Sequence, residues 1–249
     1  MLQLTAFPGW GIVNDISSFA ATVIRLGRGL SRDTATADRA SDQLLELYDY
    51  EGCPYCRKVR ERLCELDLDV LVHPAAHGSP RRGQLKQLGG RLQVPYLIDP
   101  NSETALYESE DIATYLQKRY GGGRGPSSLV SLLLINTIGS FFATAVRLGR
   151  GIRVTSGLAD ARRPASPLEL YNMEGSPYCR KVREALCELD LEHIVRNVPK
   201  GSRKREALLA RAGKVQVPYL VDPNTGSEMF ESDDIVTYLY ERYGPGAPA

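Results

Sequence analysis

The sequence predicts an α/β protein made of two tandem copies of one domain, each preceded by a helix. The main observation is a long internal repeat: residues 45–121 align without a gap on residues 168–244, and more than half of the aligned positions are identical. Within each copy, strand-like and helix-like periodicities alternate. A repeat of this length is a tandem domain duplication, because solenoid repeats are much shorter.

The repeat sets the domain boundaries. We expect a leading helix and linker over 1–43, a first domain over 44–121, a linker and second leading helix over 122–167, and a second domain over 168–245. The glycine-rich run at 121–126 is the expected break between them. The two leading helices end in similar sequences, Arg25-Leu26-Gly27-Arg28-Gly29 and Arg147-Leu148-Gly149-Arg150-Gly151, in which glycine is typical of a helix C-terminus.

Each element of the first domain has a local signature. Alternating apolar residues favour strands, a proline in the first turn favours a helix start, and apolar residues spaced three and four apart favour helices. The predicted order is β-α-β-α-β-β-α, which makes a mixed sheet with helices on both faces. The elements are expected at 44–48, 54–66, 69–73, 79–88, 93–99 and 105–107, with a last helix that Ser109 caps, and the second copy repeats them.

Composition narrows the class of function. The 249 residues carry 31 Lys and Arg against 30 Asp and Glu, so charge gives no reason to expect nucleic acid as a partner. Five cysteines are too few for a disulfide framework. The N-terminus does not resemble a secretory signal. We therefore expect a cytoplasmic protein, or a protein of the plastid stroma if the source is a photosynthetic eukaryote.

Two apolar segments precede the domains. Residues 129–146 contain no charged residue, which reaches the length of a membrane-spanning helix, but they include several serine, threonine and asparagine residues. The related segment 11–24 contains Asp15. We expect a buried or amphipathic helix and no membrane contact, with a membrane-associated helix as the alternative.

The chemistry centres on a short motif that occurs twice. The first copy reads Cys53-Pro54-Tyr55-Cys56, and Ser176 replaces the first cysteine in the second copy. A thiol just before a helix is stabilised as a thiolate by the free N–H groups and partial positive charge of the helix start. Arg57 in the next turn adds to that field. The sequence thus indicates one exposed, redox-competent thiol pair and one altered copy, or a silent pair kept by duplication.

Three motifs in the same order in both copies resemble glutaredoxin and the thioredoxin-fold N-terminal domain of glutathione S-transferases. They are the Cys-Pro-Tyr-Cys turn, the Val-Pro pair that opens the third strand, and the Glu-Ser pair before the last helix. The resemblance implies two tandem thioredoxin-like domains of the glutaredoxin and glutathione S-transferase N-terminal type. It does not cover the leading helices, and a second such domain stands where those transferases place an all-helical domain. Classical conjugation is therefore less expected.

The resemblance also implies roles for particular residues. Cys53 would be the nucleophile and Cys56 the resolving thiol, while Ser176 would hydrogen-bond a glutathione thiolate or only cap its helix. Pro95 and Pro218 would be cis, which frees the backbone of Val94 and Val217 to bond glutathione. The expected glutathione-binding residues are Arg57, Val94, Pro95, Glu108, Ser109, Val217, Pro218, Glu231 and Ser232.

Three functions remain open from the sequence. The first is glutathione-linked thiol–disulfide exchange at Cys53, with glutathione as co-substrate and a disulfide as substrate. The second is transferase chemistry on an electrophile at Ser176. The third is a non-catalytic module that binds glutathione, a partner protein or an iron–sulfur cluster, although the proline after Cys53 disfavours the cluster. Cys64, Cys179 and Cys187 are expected to be structural, Cys179 being half-buried, and no metal-ligand set is expected.

Overall fold

The computed structural model describes residues 10–25, 27–33, 41–122, 133–159 and 161–247. Most of the break predicted at 121–126 and the start of the apolar segment at 129–146 lie outside these residues, as does Leu26. The first domain contains β1, α2, β2, α3, β3, β4 and α4 in the predicted order. Their bounds are Leu45–Asp49, Pro54–Glu65, Val70–Pro74, Arg81–Gly89, Tyr96–Asp99, Thr104–Leu106 and Ser109–Tyr120.

The second domain repeats these elements as β5, α6, β6, α7, β7, β8 and α8. Their bounds are Leu168–Asn172, Pro177–Glu188, His193–Asn197, Lys204–Ala212, Tyr219–Asp222, Ser227–Met229 and Ser232–Tyr243. The leading helices are α1, Trp10–Ile24, and α5, Leu133–Ala145. None of the helices in the described ranges has the length and apolarity needed to cross a bilayer.

The two domains share one eight-stranded sheet in the order β4-β3-β1-β2-β6-β5-β7-β8. Within each domain the second strand runs parallel to the first, the third is antiparallel to the first, and the fourth is antiparallel to the third. The edge strands β2 and β6 pair antiparallel, with Val70 opposite Val195 and Leu71 opposite Ile194. This pairing removes two exposed sheet edges and relates the domains by a pseudo-twofold axis.

Each domain has its own apolar core between the sheet and its helices. In the first domain, Leu47, Val59, Leu63, Ile112 and Leu116 are each no more than 1% exposed. The helical spacing of the last four puts them on the sheet-facing sides of α2 and α4. The corresponding residues of the second domain form a matching cluster on α6 and α8.

The leading helices are exchanged between the domains. Helix α5, which precedes the second domain in the chain, packs on α2 of the first, and α1 packs on α6 of the second. The Ser140 hydroxyl donates to the Pro54 carbonyl at 2.6 Å, and the Ser18 hydroxyl donates to the Pro177 carbonyl at 2.7 Å. The sequence gives no sign of this exchange, because the two leading helices are alike.

Candidate active site

The Cys-Pro-Tyr-Cys turn lies between β1 and α2. Pro54 occupies the start of α2, and Cys53 is its N-cap residue with extended backbone. The Cys53 sulfur accepts a hydrogen bond from the Cys56 backbone N–H at 3.3 Å. A sulfur in this position meets the free donors and the positive end of the helix dipole. The local geometry predicted from the motif is therefore present.

The two thiols of this turn have opposite electrostatic environments. Hydrogen bonding from the Cys56 thiol, with backbone N–H groups of Tyr55 and Cys56 and the charge of Arg60, lowers the pKa of Cys53. Burial, the neighbouring Cys53 sulfur and the charge of Asp49 raise the pKa of Cys56 well above its ordinary value. Because of this difference Cys53 ionises to a thiolate more readily, whereas Cys56 keeps its proton.

Cys53 is buried, which differs from the exposed thiolate expected from the sequence. Only 3% of the residue is accessible. A covering segment, residues 151–154, lies against the turn: the Gly52 N–H donates to the Gly151 carbonyl at 3.1 Å. A Cβ atom on Gly52 would lie 2.4 Å from the Ile152 side chain. On the other side, the Phe141 ring of α5 meets Tyr55 edge-on at 5.6 Å.

The Ser-Pro-Tyr-Cys turn of the second domain repeats this geometry with oxygen in place of sulfur. Ser176 is the N-cap residue of α6, and its hydroxyl oxygen accepts from the Cys179 N–H at 3.3 Å. Ser176 is 4% exposed. A second covering segment, residues 29–32, lies against this turn, where the Gly175 N–H donates to the Gly29 carbonyl at 3.2 Å. The capping role of Ser176 is thus present, and it leaves the serine proton able to donate.

The segments expected to bind glutathione meet at one edge of each domain. The β1–β3 ladder begins at Tyr96, so Val94 and Pro95 lie just beyond it, beside the turn that follows β1. Both Val94–Pro95 and Val217–Pro218 are cis, which confirms that prediction. The Gln93 amide donates to the Glu108 carboxylate at 2.5 Å, and this bond ties the start of β3 to the start of α4.

The residue that caps α4 is Glu108, whereas the sequence predicts Ser109. Glu108 occupies the N-cap position of α4 at φ 65°, and Ser109 is the first helical residue, 5% exposed. In the second domain Glu231 has the same φ, accepts from Gln216 at 2.6 Å, and precedes a 6% exposed Ser232. The left-handed φ region is rarely used by residues other than glycine, and such backbone is concentrated at functional sites.

A central ion cluster joins the two turns. Arg60 contacts the Glu51 carboxylate at 3.1 Å and the Glu174 carboxylate at 3.2 Å, and Arg183 contacts the same two carboxylates at 3.1 and 3.2 Å. All four residues are at most 5% exposed. The Arg183 charge and that of Arg60 outweigh burial and lower the pKa of Glu51 to about 2.

The cluster differs between the domains at one position. Arg60 pairs with Asp49 at 2.5 Å, whereas Arg183 donates to the Asn172 side chain at 2.6 Å. Burial raises the pKa of Asp49 despite the adjacent Arg60. The domain with the cysteine pair thus has a carboxyl group beneath it, and the domain with Ser176 has an amide.

Comparison with known proteins identifies the domain. A family model described as "Glutathione S-transferase, N-terminal domain" matches residues 47–125 and, separately, residues 170–247. This chain belongs to the glutathione S-transferase N-terminal domain family. It carries that thioredoxin-like domain twice, as the internal repeat predicts.

Individual relatives match different shares of the chain. The glutathione S-transferase-like protein tpcF of Aspergillus fumigatus is 37% identical over 79 residues, which are 32% of this chain and 35% of that protein. The alignment therefore spans about a third of that relative. The solved structure of Leishmania TDR1, described as a unique trimeric glutathione transferase, is 14% identical, with a TM-score of 0.28 over 79% of this chain and 66% of that one.

Several predicted residues of the two glutathione S-transferase N-terminal domains have unexpected surroundings. Arg57 is 2% exposed beneath α5, and one of its N–H groups donates to the Thr144 hydroxyl at 3.4 Å. Cys179 is fully buried rather than half-buried, as are Cys64 and, at 3% exposed, Cys187. The described residues contain no group of three or more His, Cys, Asp or Glu side chains able to hold a metal ion.

His73 is a residue to which the sequence assigned no role. It lies between two carboxylates, 2.9 Å from Glu46 and 2.7 Å from Glu192 of the other domain. The hydrogen bond from His73, with the charge of Arg81, lowers the pKa of Glu192 to about 2. In the second domain Arg196 occupies the matching position, between Glu169 and Asp69. Both domains thus place a basic side chain between two acids at this position.

Proposed function

We propose that the first domain catalyses glutathione-linked thiol–disulfide exchange at Cys53. The observation that carries the proposal is the opposed environment of the two thiols, with the pKa of Cys53 lowered and that of Cys56 raised. Disulfide exchange requires a thiolate nucleophile, and here a neighbouring thiol that keeps its proton lies beside it.

The proposed reaction has two exchange steps. The Cys53 thiolate attacks the glutathione sulfur of a mixed disulfide, forming a Cys53–glutathione disulfide and releasing the substrate thiolate, which takes up a proton. A second glutathione thiolate then attacks the glutathione sulfur on Cys53, forming glutathione disulfide and regenerating the Cys53 thiolate. Cys56 can instead attack Cys53, releasing glutathione and forming an internal disulfide.

Glutathione would bind along the edge where the predicted segments meet. Val94 lies beyond the β1–β3 ladder and offers its backbone to the cysteinyl part, while the start of α4 at Glu108 and Ser109 offers N–H groups to the γ-glutamyl carboxylate. Val217, Pro218, Glu231 and Ser232 would do the same in the second domain. In this proposal Arg57 acts on the contact between domains rather than on glutathione, and residues 151–154 move away from Cys53 during exchange.

The test is glutathione-dependent reduction of a small mixed disulfide by the whole chain. We expect Cys53→Ser to abolish activity and Cys56→Ser to retain it, since a second glutathione can resolve the intermediate. Ser176→Ala serves as the matched control, because it alters the same position of the other domain and should leave this activity intact. Equal activity of Cys53→Ser and the unaltered protein would refute the assignment.

A second candidate function is glutathione conjugation at Ser176. The supporting observation is that its hydroxyl occupies the position of the Cys53 sulfur, with the same 3.3 Å bond from the backbone N–H of the fourth residue of the motif. A donating hydroxyl there would stabilise a glutathione thiolate. Conjugation of a model electrophile that survives Cys53→Ser and is lost in Ser176→Ala would support it, and no conjugation by the unaltered protein would exclude it.

A further inference from the structure

Two buried arginines lie beside the central ion cluster without belonging to it. Arg57 and Arg180 each precede a cluster arginine by three residues, on α2 and α6, and each is 2% exposed. Arg180 donates to the Ser18 carbonyl at 2.5 Å, and Arg57 donates to the Thr144 hydroxyl at 3.4 Å. Both therefore lie beneath the exchanged helices.

Three of their other donors have no acceptor among the described residues. Nε and Nη1 of Arg57 and Nε of Arg180 are buried and have no hydrogen-bond partner there. A buried, charged donor without an acceptor loses its hydration and gains nothing in return. Almost all buried polar groups in folded proteins have a partner, so three such donors on two neighbouring guanidinium groups require an explanation.

The charges of the central ion cluster and these two neighbouring arginines, taken together as one region, also do not balance. Outside the region, the buried pairs Arg25–Glu61 and Arg147–Glu184 compensate each other. Inside it, four guanidinium groups face three carboxyl groups, because Asn172 replaces the aspartate of the first domain; the seven residues are Arg57, Arg60, Arg180, Arg183, Asp49, Glu51 and Glu174. Burial, with the charges of Arg57 and Arg183, lowers the pKa of Arg180 to about 9.

We propose that a monovalent anion of the halide class, such as chloride, binds between Arg57 and Arg180 near the pseudo-twofold axis. With all three carboxyl groups ionised, the missing charge is a single negative one, which a halide supplies and a phosphate dianion would exceed. The unpartnered N–H groups supply the donors that a desolvated anion needs. The bound ion would hold α1 and α5 in their exchanged positions, through the contacts of Arg180 with Ser18 and of Arg57 with Thr144.

The direct test is a crystal structure of the whole chain grown with sodium bromide as the only halide. We expect an anomalous bromide peak within hydrogen-bond distance of both Arg57 and Arg180. Density of a water molecule at that position, or bromide confined to the protein surface, would overturn the proposal. This test needs no variant, so a variant that fails to fold does not affect it.

A solution test uses thermal unfolding in sodium chloride and in sodium gluconate at equal ionic strength, since gluconate is too bulky for an enclosed site. A ligand that binds the folded protein alone should raise the melting temperature by roughly 3–5 °C for each tenfold increase in chloride above its Kd. We expect Arg57→Met to lose this chloride dependence. Arg211→Met, which removes a surface arginine paired with Glu228, should keep it. Equal chloride dependence in both variants would contradict the site.

Discussion

Glu51→Gln should destabilise the protein strongly, because Glu51 is the best-compensated acid of the central ion cluster. Its carboxylate contacts Arg60 and Arg183 at 3.1 Å each, and the residue is 4% exposed. A neutral amide there would leave two buried guanidinium groups short of one negative charge. Breaking a buried ion pair by removing one partner costs about 3–5 kcal/mol.

The pKa of Glu51 gives an independent magnitude. A value of about 2 in the folded protein against an ordinary 4.5 corresponds to about 3 kcal/mol of stability at neutral pH. Because the folded-state pKa is the lower one, this stability is present above pH 4.5 and is lost as the pH falls from 4.5 towards 2. The two approaches agree on a loss of roughly 3 kcal/mol, or roughly 6–12 °C in melting temperature for a chain of this size.

The assay is urea unfolding at pH 7 of the unaltered protein, Glu51→Gln and two controls. Glu228→Gln removes the acid of an exposed pair with Arg211 and should cost about 0–1 kcal/mol. Glu174→Gln alters the partner carboxylate, whose pKa burial raises, so it should cost less than Glu51→Gln. A Glu51→Gln protein as stable as the Glu228→Gln control would refute the idea that this cluster holds the domains together.

Two further predictions concern the covering segment and the boundary between the domains. Gly52→Ala should displace residues 151–154, because the new Cβ would overlap Ile152, and iodoacetamide should then alkylate Cys53 faster. The control is Gly83→Ala, which has nothing within 4 Å of the new atom, and equal alkylation rates in the two variants would contradict the prediction. His73→Gln should raise the pKa of Glu192 from about 2 towards 4.5, which NMR titration measures. The variant should then lose less stability than the unaltered protein as the pH falls from 4.5 to 2. An unchanged Glu192 pKa would show that His73 does not cause the low value.

The local structure of each domain follows from its sequence because local rules govern it. Proline at the first position of α2 fixes the helix start, and β1 was predicted within a residue of its observed bounds. The repeat itself predicted that both domains would have the same order of elements. These predictions need only neighbouring residues and hydrophobic periodicity.

The relation between the domains was not predictable in this way. Alternation along β2 indicates which side chains face the core, but it does not indicate that this strand pairs with β6 rather than with solvent. Glu51 and Glu174 each contact one arginine nine residues further along the chain and a second arginine more than a hundred residues away. Local spacing does not reveal the second contact, which joins the two domains. The burial of Cys53 has the same origin, since the segment that covers it comes from the other domain's leader.

The exchange of α1 and α5 has a consequence for synthesis of the chain. During translation the second domain finds its partner helix α1 already made, whereas the first domain must wait until residues 133–154 have left the ribosome. Until then the surfaces around Gly52 and Pro54 lack their cover. A gene cut between the two halves would yield a first half that carries the helix belonging to the other domain. Two copies of that first half could then cover their exposed surfaces only by exchanging helices in a dimer.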